Sequence, residues 1–119
     1  MVTLQEVEAW AMALPEAEQQ PHFEKASFRV KKKIFATLDT AKKKAVVKLS
    51  VVDQSVFSKY DPAVIYPVPG AWGKQGWTAI ELNKVRKTMF KDALYTSYAN
   101  VAPKALAEQV NMRIMKKGM

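Results

Sequence analysis

Between Ser27 and Leu49 the chain places apolar residues at alternate positions in three short runs, with little between them. Phe28 and Val30 flank Arg29, while Ile34, Ala36 and Leu38 share one side of Lys33–Leu38. Ala45, Val47 and Leu49 share one side of Lys44–Leu49. Period-two alternation marks half-buried strands. The links Lys31–Lys32 and Asp39–Lys43 are too short for a parallel crossover, so the three strands form an antiparallel meander. A meander has an apolar face to bury, and the rest of the chain must cover it.

Helices supply the cover. TLQEVEAWAMALP opens with Thr3 and Glu6 at capping-box spacing; Leu4, Val7, Ala11 and Leu14 recur at helical intervals, and Pro15 ends the run. Ser50, with Asp53 three residues on, starts a short helix that stops at Asp61–Pro62. Ala63–Val68 and Trp77–Leu82 are two further strands. Asn83 is the expected N-cap of a long helix striped by Val85, Met89, Ala93, Leu94, Tyr98 and Val101, and Pro103 restarts the chain into a last helix, Lys104–Met115. The expected fold is α+β: a single domain over residues 1–119, a two-layer sandwich with an antiparallel sheet of about five strands and the N- and C-terminal helices on one face. Its core should hold Leu4, Phe28, Ile34, Val47, Leu49, Ile80, Leu82, Leu94 and Tyr98.

Helices on one face leave the other open. The alternation puts Arg29, Phe35, Thr37, Val46, Lys48, Trp77, Ala79 and Glu81 there. A one-residue slip of register would exchange the two faces, and a terminal helix could also cover this side. Joining the last two strands is PVPGAWGKQGW, which holds Gly70, Gly73 and Gly76 of the chain's four glycines together with Trp72 and Trp77. It is not a phosphate-cradling P-loop: Val68 stands five residues before Gly73, and Gln75 follows Lys74 where a metal-holding hydroxyl is needed. The glycines read as a rigid turn pinned by tryptophan, or as a binding loop presenting Trp72 and Lys74.

Nineteen basic against eleven acidic side chains leave a net charge of +8. An excess of that size favours a polyanionic partner. The candidate nucleic-acid contacts are Arg29, Lys31, Lys32, Lys33 and Lys74, with Trp72 or Trp77 adding an apolar or stacking contact. A second triplet, Lys42–Lys44, falls at the next turn and therefore at the opposite end of the sheet. Solvated charge is the plain explanation for both triplets. The alternative partner is a protein seated on the open face around Phe35, Lys48 and Trp77.

Catalysis finds no support. The chain has no cysteine and a single histidine, His22, which reads as structural, so a tight transition-metal site is not expected. Its serines lack a nucleophile context and its carboxylates lack pairing. No cofactor is expected, nor a membrane partner, since no run nears the ~20 apolar residues of a membrane span. A cytoplasmic monomer is the expectation.

PHFEKASFRVKKKIFATL, VKLSVVDQ, PVPGAWGKQGWTAIEL and NVAPKAL together resemble the MmcQ/YjbR family of small bacterial proteins. The PGAWGxxGWT block is the most specific part; Tyr98 stands where an aromatic, often Trp, is expected, and Glu24 replaces a common Gly. The resemblance implies a fold similar to CyaY, the bacterial frataxin, and a DNA-binding role through paired hairpin wings. It supplies no catalytic residues. Frataxin-like iron binding would need an acidic ridge on the first helix, which here offers only Glu6 and Glu8.

Overall fold

Thr3 and Glu6 cap one another: the Thr3 hydroxyl accepts from the Glu6 amide at 3.1 Å and the Glu6 carboxylate accepts from the Thr3 amide at 3.0 Å. This capping box starts α1 (Leu4–Met12), which buries Val7 and Ala11. The computed structural model describes residues 1–22 and 25–117, with side chains over 1–21 and 25–110. His22's side chain and Glu24, both singled out from the sequence, lie outside the described residues.

After α1 come β1 (Ala17–His22), β2 (Lys25–Val30), β3 (Lys33–Asp39) and β4 (Lys44–Lys48), then α2 (Val51–Tyr60). They are followed by β5 (Ile65–Pro67), a one-turn helix α3 (Ala71–Lys74), β6 (Trp77–Glu81), α4 (Lys87–Val101) and α5 (Lys104–Lys117). The sheet is antiparallel with order β1-β2-β3-β4-β6-β5. It has six strands where about five were expected, because β1 extends the meander at its edge. Ser50 caps α2 as anticipated, its hydroxyl accepting from the Asp53 amide at 3.1 Å. Asn83 does not cap α4: that position belongs to Arg86, after a tight turn in which the Val85 amide donates to the Glu81 carbonyl.

Register sorts the two faces. Phe28 pairs with Ala36, Ala36 with Val47 and Val47 with Thr78; one row on, Leu38, Ala45, Ile80 and Ile65 run across the sheet. These rows face α4 and are all buried. Of the expected core, Phe28, Val47, Leu49, Ile80, Leu82, Leu94 and Tyr98 are buried, and Leu4 packs partly buried against them.

Ile34 is the exception. Phe28 pairs with Ala36 but Arg29 pairs with Ile34, so Phe35 is an extra residue, a β-bulge. The bulge resets the alternation of β3. Phe35 turns into the core, 0% exposed, and meets Tyr98 edge-on with ring centroids 5.4 Å apart. Ile34 moves to the other face. The placement of Phe35 on the open face is therefore corrected, and so is that of Ile34 in the core.

A basic, tryptophan-lined end of the open sheet face

The open face carries Ser27, Thr37, Val46, Ala79 and Tyr66 as one row, with Arg29 beside Ile34 and Lys48 beside Trp77. Antiparallel order brings the end of β2, the start of β3, the end of β4 and the start of β6 to the same end of the sheet. Arg29, the Lys31–Lys33 turn, Lys48 and Trp77 thus converge, and α3 brings Trp72 and Lys74 to the same end. Arg29 and Trp77 stand three strand spacings apart, about 14 Å. The Lys42–Lys44 turn lies at the far end, as the meander required.

The glycine stretch is more than a turn, for it contains α3. A Cβ on Gly73 would stand 1.9 Å from the Val68 carbonyl oxygen, and one on Gly76 would stand 1.8 Å from that of Leu49. Backbone therefore packs directly on backbone at both positions. Gln54 locks the assembly from α2: its amide nitrogen lies 2.9 Å from the Gly73 carbonyl oxygen, 3.2 Å from that of Trp77 and 3.2 Å from the Thr78 hydroxyl. The tryptophans do not pin this loop. Trp72 projects outward, 62% exposed, and Trp77 lies half-buried on the sheet, with the Lys48 ammonium 5.5 Å from its ring centroid. Lys48 also donates to the Gln75 carbonyl, tying β4 to the end of α3.

Trp72 and Trp77 line a groove of about 300 Å³ together with Val68, Val46, Thr37, Ile34 and Lys25. Among the described residues no carboxylate lines it. Trp77, Thr37 and Val46 were expected on the open face and Trp72 on the loop, whereas Ile34 was expected in the core and neither Lys25 nor Val68 at a binding surface. Lys25 continues the alternation of Ser27 and Arg29 back by one step and could have been found so. Ile34 could not, because the bulge that exposes it leaves no compositional mark.

The lysines differ in availability. Lys31 is bound to Glu16 at 2.7 Å, both half-exposed. Among the described residues no ion pair engages Arg29, Lys32, Lys33, Lys48 or Lys74; Arg29 instead donates to the Ser27 hydroxyl at 3.2 Å. Lys31 and Lys32 hold φ of 50° and 68°, the left-handed conformation of a two-residue hairpin turn that Asn-Gly ordinarily fills. Among the described residues no three His, Cys, Asp or Glu side chains gather where they could hold a metal. No described helix is long and apolar enough to cross a membrane.

Lys44, Glu81 and Tyr66 occupy the far end. The Tyr66 hydroxyl donates to the Glu81 carboxylate, and Lys44 lies 3.2 Å from it. Tyr66 first, then Lys44, hold the Glu81 carboxyl below its ordinary range; Tyr66 first, then Glu81, push the Lys44 ammonium up. Glu6 is likewise lowered, by the Thr3 amide and then by Lys87. A carboxyl whose folded pKa is depressed stabilises the fold above the unfolded value and loses that contribution as pH falls through the folded one. The raised Lys44 contributes below the unfolded lysine value and loses its share as pH rises through the folded one. These three groups therefore add no pH dependence between the carboxylate and lysine ranges, and Glu81→Gln with Glu6→Gln should shallow the acid limb of a denaturation-against-pH curve. An acid limb unchanged in that double variant would contradict these assignments.

The YjbR family model matches residues 12–100. The crystal structure of the Deinococcus radiodurans protein DR2400, with a DUF419 domain, is similar over 93% of this chain and 89% of that one, with a TM-score of 0.77 and 20% identity. At that identity the likeness carries the fold. No curated protein matches. The match to the family model spans most of the chain, the glycine–tryptophan block included: the chain belongs to the YjbR family.

Proposed function

We propose that this protein binds nucleic acid, DNA foremost, at the basic end of its open sheet face, and acts by binding without chemistry of its own. The supporting observation is the convergence of Arg29, Lys31–Lys33, Lys48 and Lys74 around two tryptophans, beside a groove that no carboxylate lines among the described residues. Lys31 and Lys32 hold left-handed backbone at the hairpin tip, as Glu16 and Lys43 do at other turns, and non-glycine residues in that region cost about 1 kcal/mol or more each. Lysines at both positions give the tip charge at the expense of stability.

Replacing Lys31–Lys32 by Asn-Gly should separate the two effects. The variant should gain about 1 kcal/mol in urea denaturation. It should also bind duplex DNA more weakly, with the slope of log K against log salt reduced by up to about 1.8, at roughly 0.9 per phosphate contact. Lys31 should account for the smaller part, since Glu16 already engages it. Unchanged affinity and slope would remove the hairpin from the contact surface. The apolar lining of the groove favours a second reading, a protein partner docked around Trp77 and Lys48; without Phe35 its anchors are Trp72, Trp77 and Ile34. That reading predicts binding indifferent to Lys32 and weakly dependent on salt.

A further inference from the structure

We propose that the Trp72–Trp77 groove receives an unstacked base, so that the protein prefers single-stranded to duplex nucleic acid and binds it with little sequence preference. This inference rests on the nucleic-acid reading above and deepens it. A groove of about 300 Å³ walled by two indoles, Val46, Val68 and Ile34 offers apolar and π surface but almost no directional polarity. Besides the indole N–H groups of the tryptophans, Thr37 and Lys25 are the only polar side chains among its described lining residues. A phosphate has no place inside such a lining, whereas a base presents an apolar π face on each side. In a duplex those faces are already stacked on their neighbours. A single strand leaves them free.

The surroundings match the rest of a strand. Lys25 lines the groove and other cations stand near it: Arg29 beside Ile34, Lys48 against Trp77 and Lys74 two residues beyond Trp72. Planar aromatic units strung on a regularly charged anionic backbone are the ligand this arrangement complements. An acidic peptide would satisfy the cations but would seldom present aromatic planes. Basic and neutral apolar segments would leave the cations unanswered.

The backbone that carries Trp72 is also fixed before any ligand arrives. Its helix sits backbone to backbone on Val68, and Gln54 grips the Gly73 carbonyl from below. The Gln75 amide donates to the Trp72 carbonyl at 3.1 Å. An aromatic ring that is both exposed and mounted on an immobilised support loses little freedom on stacking. Scarce hydrogen-bonding groups in the lining mean that ring faces, which every base possesses, are recognised in preference to base edges.

The test titrates the full chain with a twelve-residue oligothymidylate, a twelve-base-pair duplex and a glutamate-rich peptide. Intrinsic tryptophan fluorescence and a salt series are the readouts. The oligothymidylate should bind more tightly than the duplex and quench the fluorescence. Trp72→Ala should weaken oligothymidylate binding by about 5- to 150-fold, the range expected for one stacked base. Its slope against log salt should stay unchanged, and Trp72→Phe should recover part of the loss. Because Trp72 is largely exposed, its truncation leaves the core intact, and a urea transition matching the parent confirms folding. Duplex binding as tight as single-strand binding, insensitive to Trp72→Ala, would overturn the groove inference while leaving the basic end as a duplex contact. Binding of the peptide alone would overturn both.

Discussion

Gly76→Ala is expected to cost about 3 kcal/mol or more, a large share of the roughly 5–15 kcal/mol that holds a domain folded. Two independent effects act at this position. Gly76 has a φ of 104°, outside the range L-residues occupy with ease, and an added Cβ would fall 1.8 Å from the Leu49 carbonyl oxygen. That oxygen belongs to backbone following β4 and cannot swing aside like a side chain. The same junction carries the hydrogen bond from the Leu49 amide to the Gly76 carbonyl, at 3.0 Å, and the bond from the Thr78 hydroxyl, at 2.9 Å. Displacing Gly76 would break both and free Gln54 from its acceptors. Gly70→Ala provides the control. Its φ of 82° and ψ of −155° impose strain of about 1–3 kcal/mol, yet nothing lies within 4 Å of the new Cβ, so strain alone sets the cost. Urea denaturation followed by circular dichroism would compare them; equal midpoints for the two variants would contradict the close approach at Gly76.

Phe35→Ala should cost about 3–5 kcal/mol, the range for truncating a fully buried phenylalanine. The ring is completely enclosed and packs edge-on against Tyr98, whose hydroxyl reaches across to the Pro15 carbonyl at 2.5 Å. Removing it would open a cavity between the sheet and α4 and loosen the contact that ties α4 to the end of α1. Ile34→Ala, one residue away, should cost much less because Ile34 is only partly buried on the open face. Strict alternation in β3 would invert this order. The pair of variants therefore reads out the bulge directly: a larger loss for Ile34→Ala than for Phe35→Ala would refute it.

The features legible in the sequence were those with local causes. Thr3 with Glu6 and Ser50 with Asp53 cap helices through contacts three residues apart, so spacing alone reveals them. Lys31–Lys32 is short enough to force a hairpin, and the alternation of β2 and β4 survives intact. What escaped depended on partners distant in the chain. β1, with Glu18, Gln19, Gln20 and Pro21, has no apolar alternation because it is a largely exposed edge, held by its pairing with β2. The bulge at Phe35 exists because Phe35 fills a space facing Tyr98, and no local rule announces that. The same displacement decides the site, exchanging Phe35 for Ile34 on the open face. Trp72 and Gly73 were conspicuous from the outset. That Gly73 must touch Val68, and so turns Trp72 outward, required the fold.

The central claim is that nucleic acid meets the protein at one end of one sheet face. Backbone amide resonances recorded during titration of isotope-labelled protein with an oligonucleotide would test it most directly. The account predicts shifts concentrated at Arg29, Lys32, Lys33, Ile34, Lys48, Trp72, Lys74 and the Trp77 indole, fading as salt is raised. Lys42, Lys44, Tyr66 and Glu81 at the far end, and the exposed side of α2 around Val52 and Val56, should stay unmoved. Shifts centred on either of those regions, or none at low salt, would contradict it.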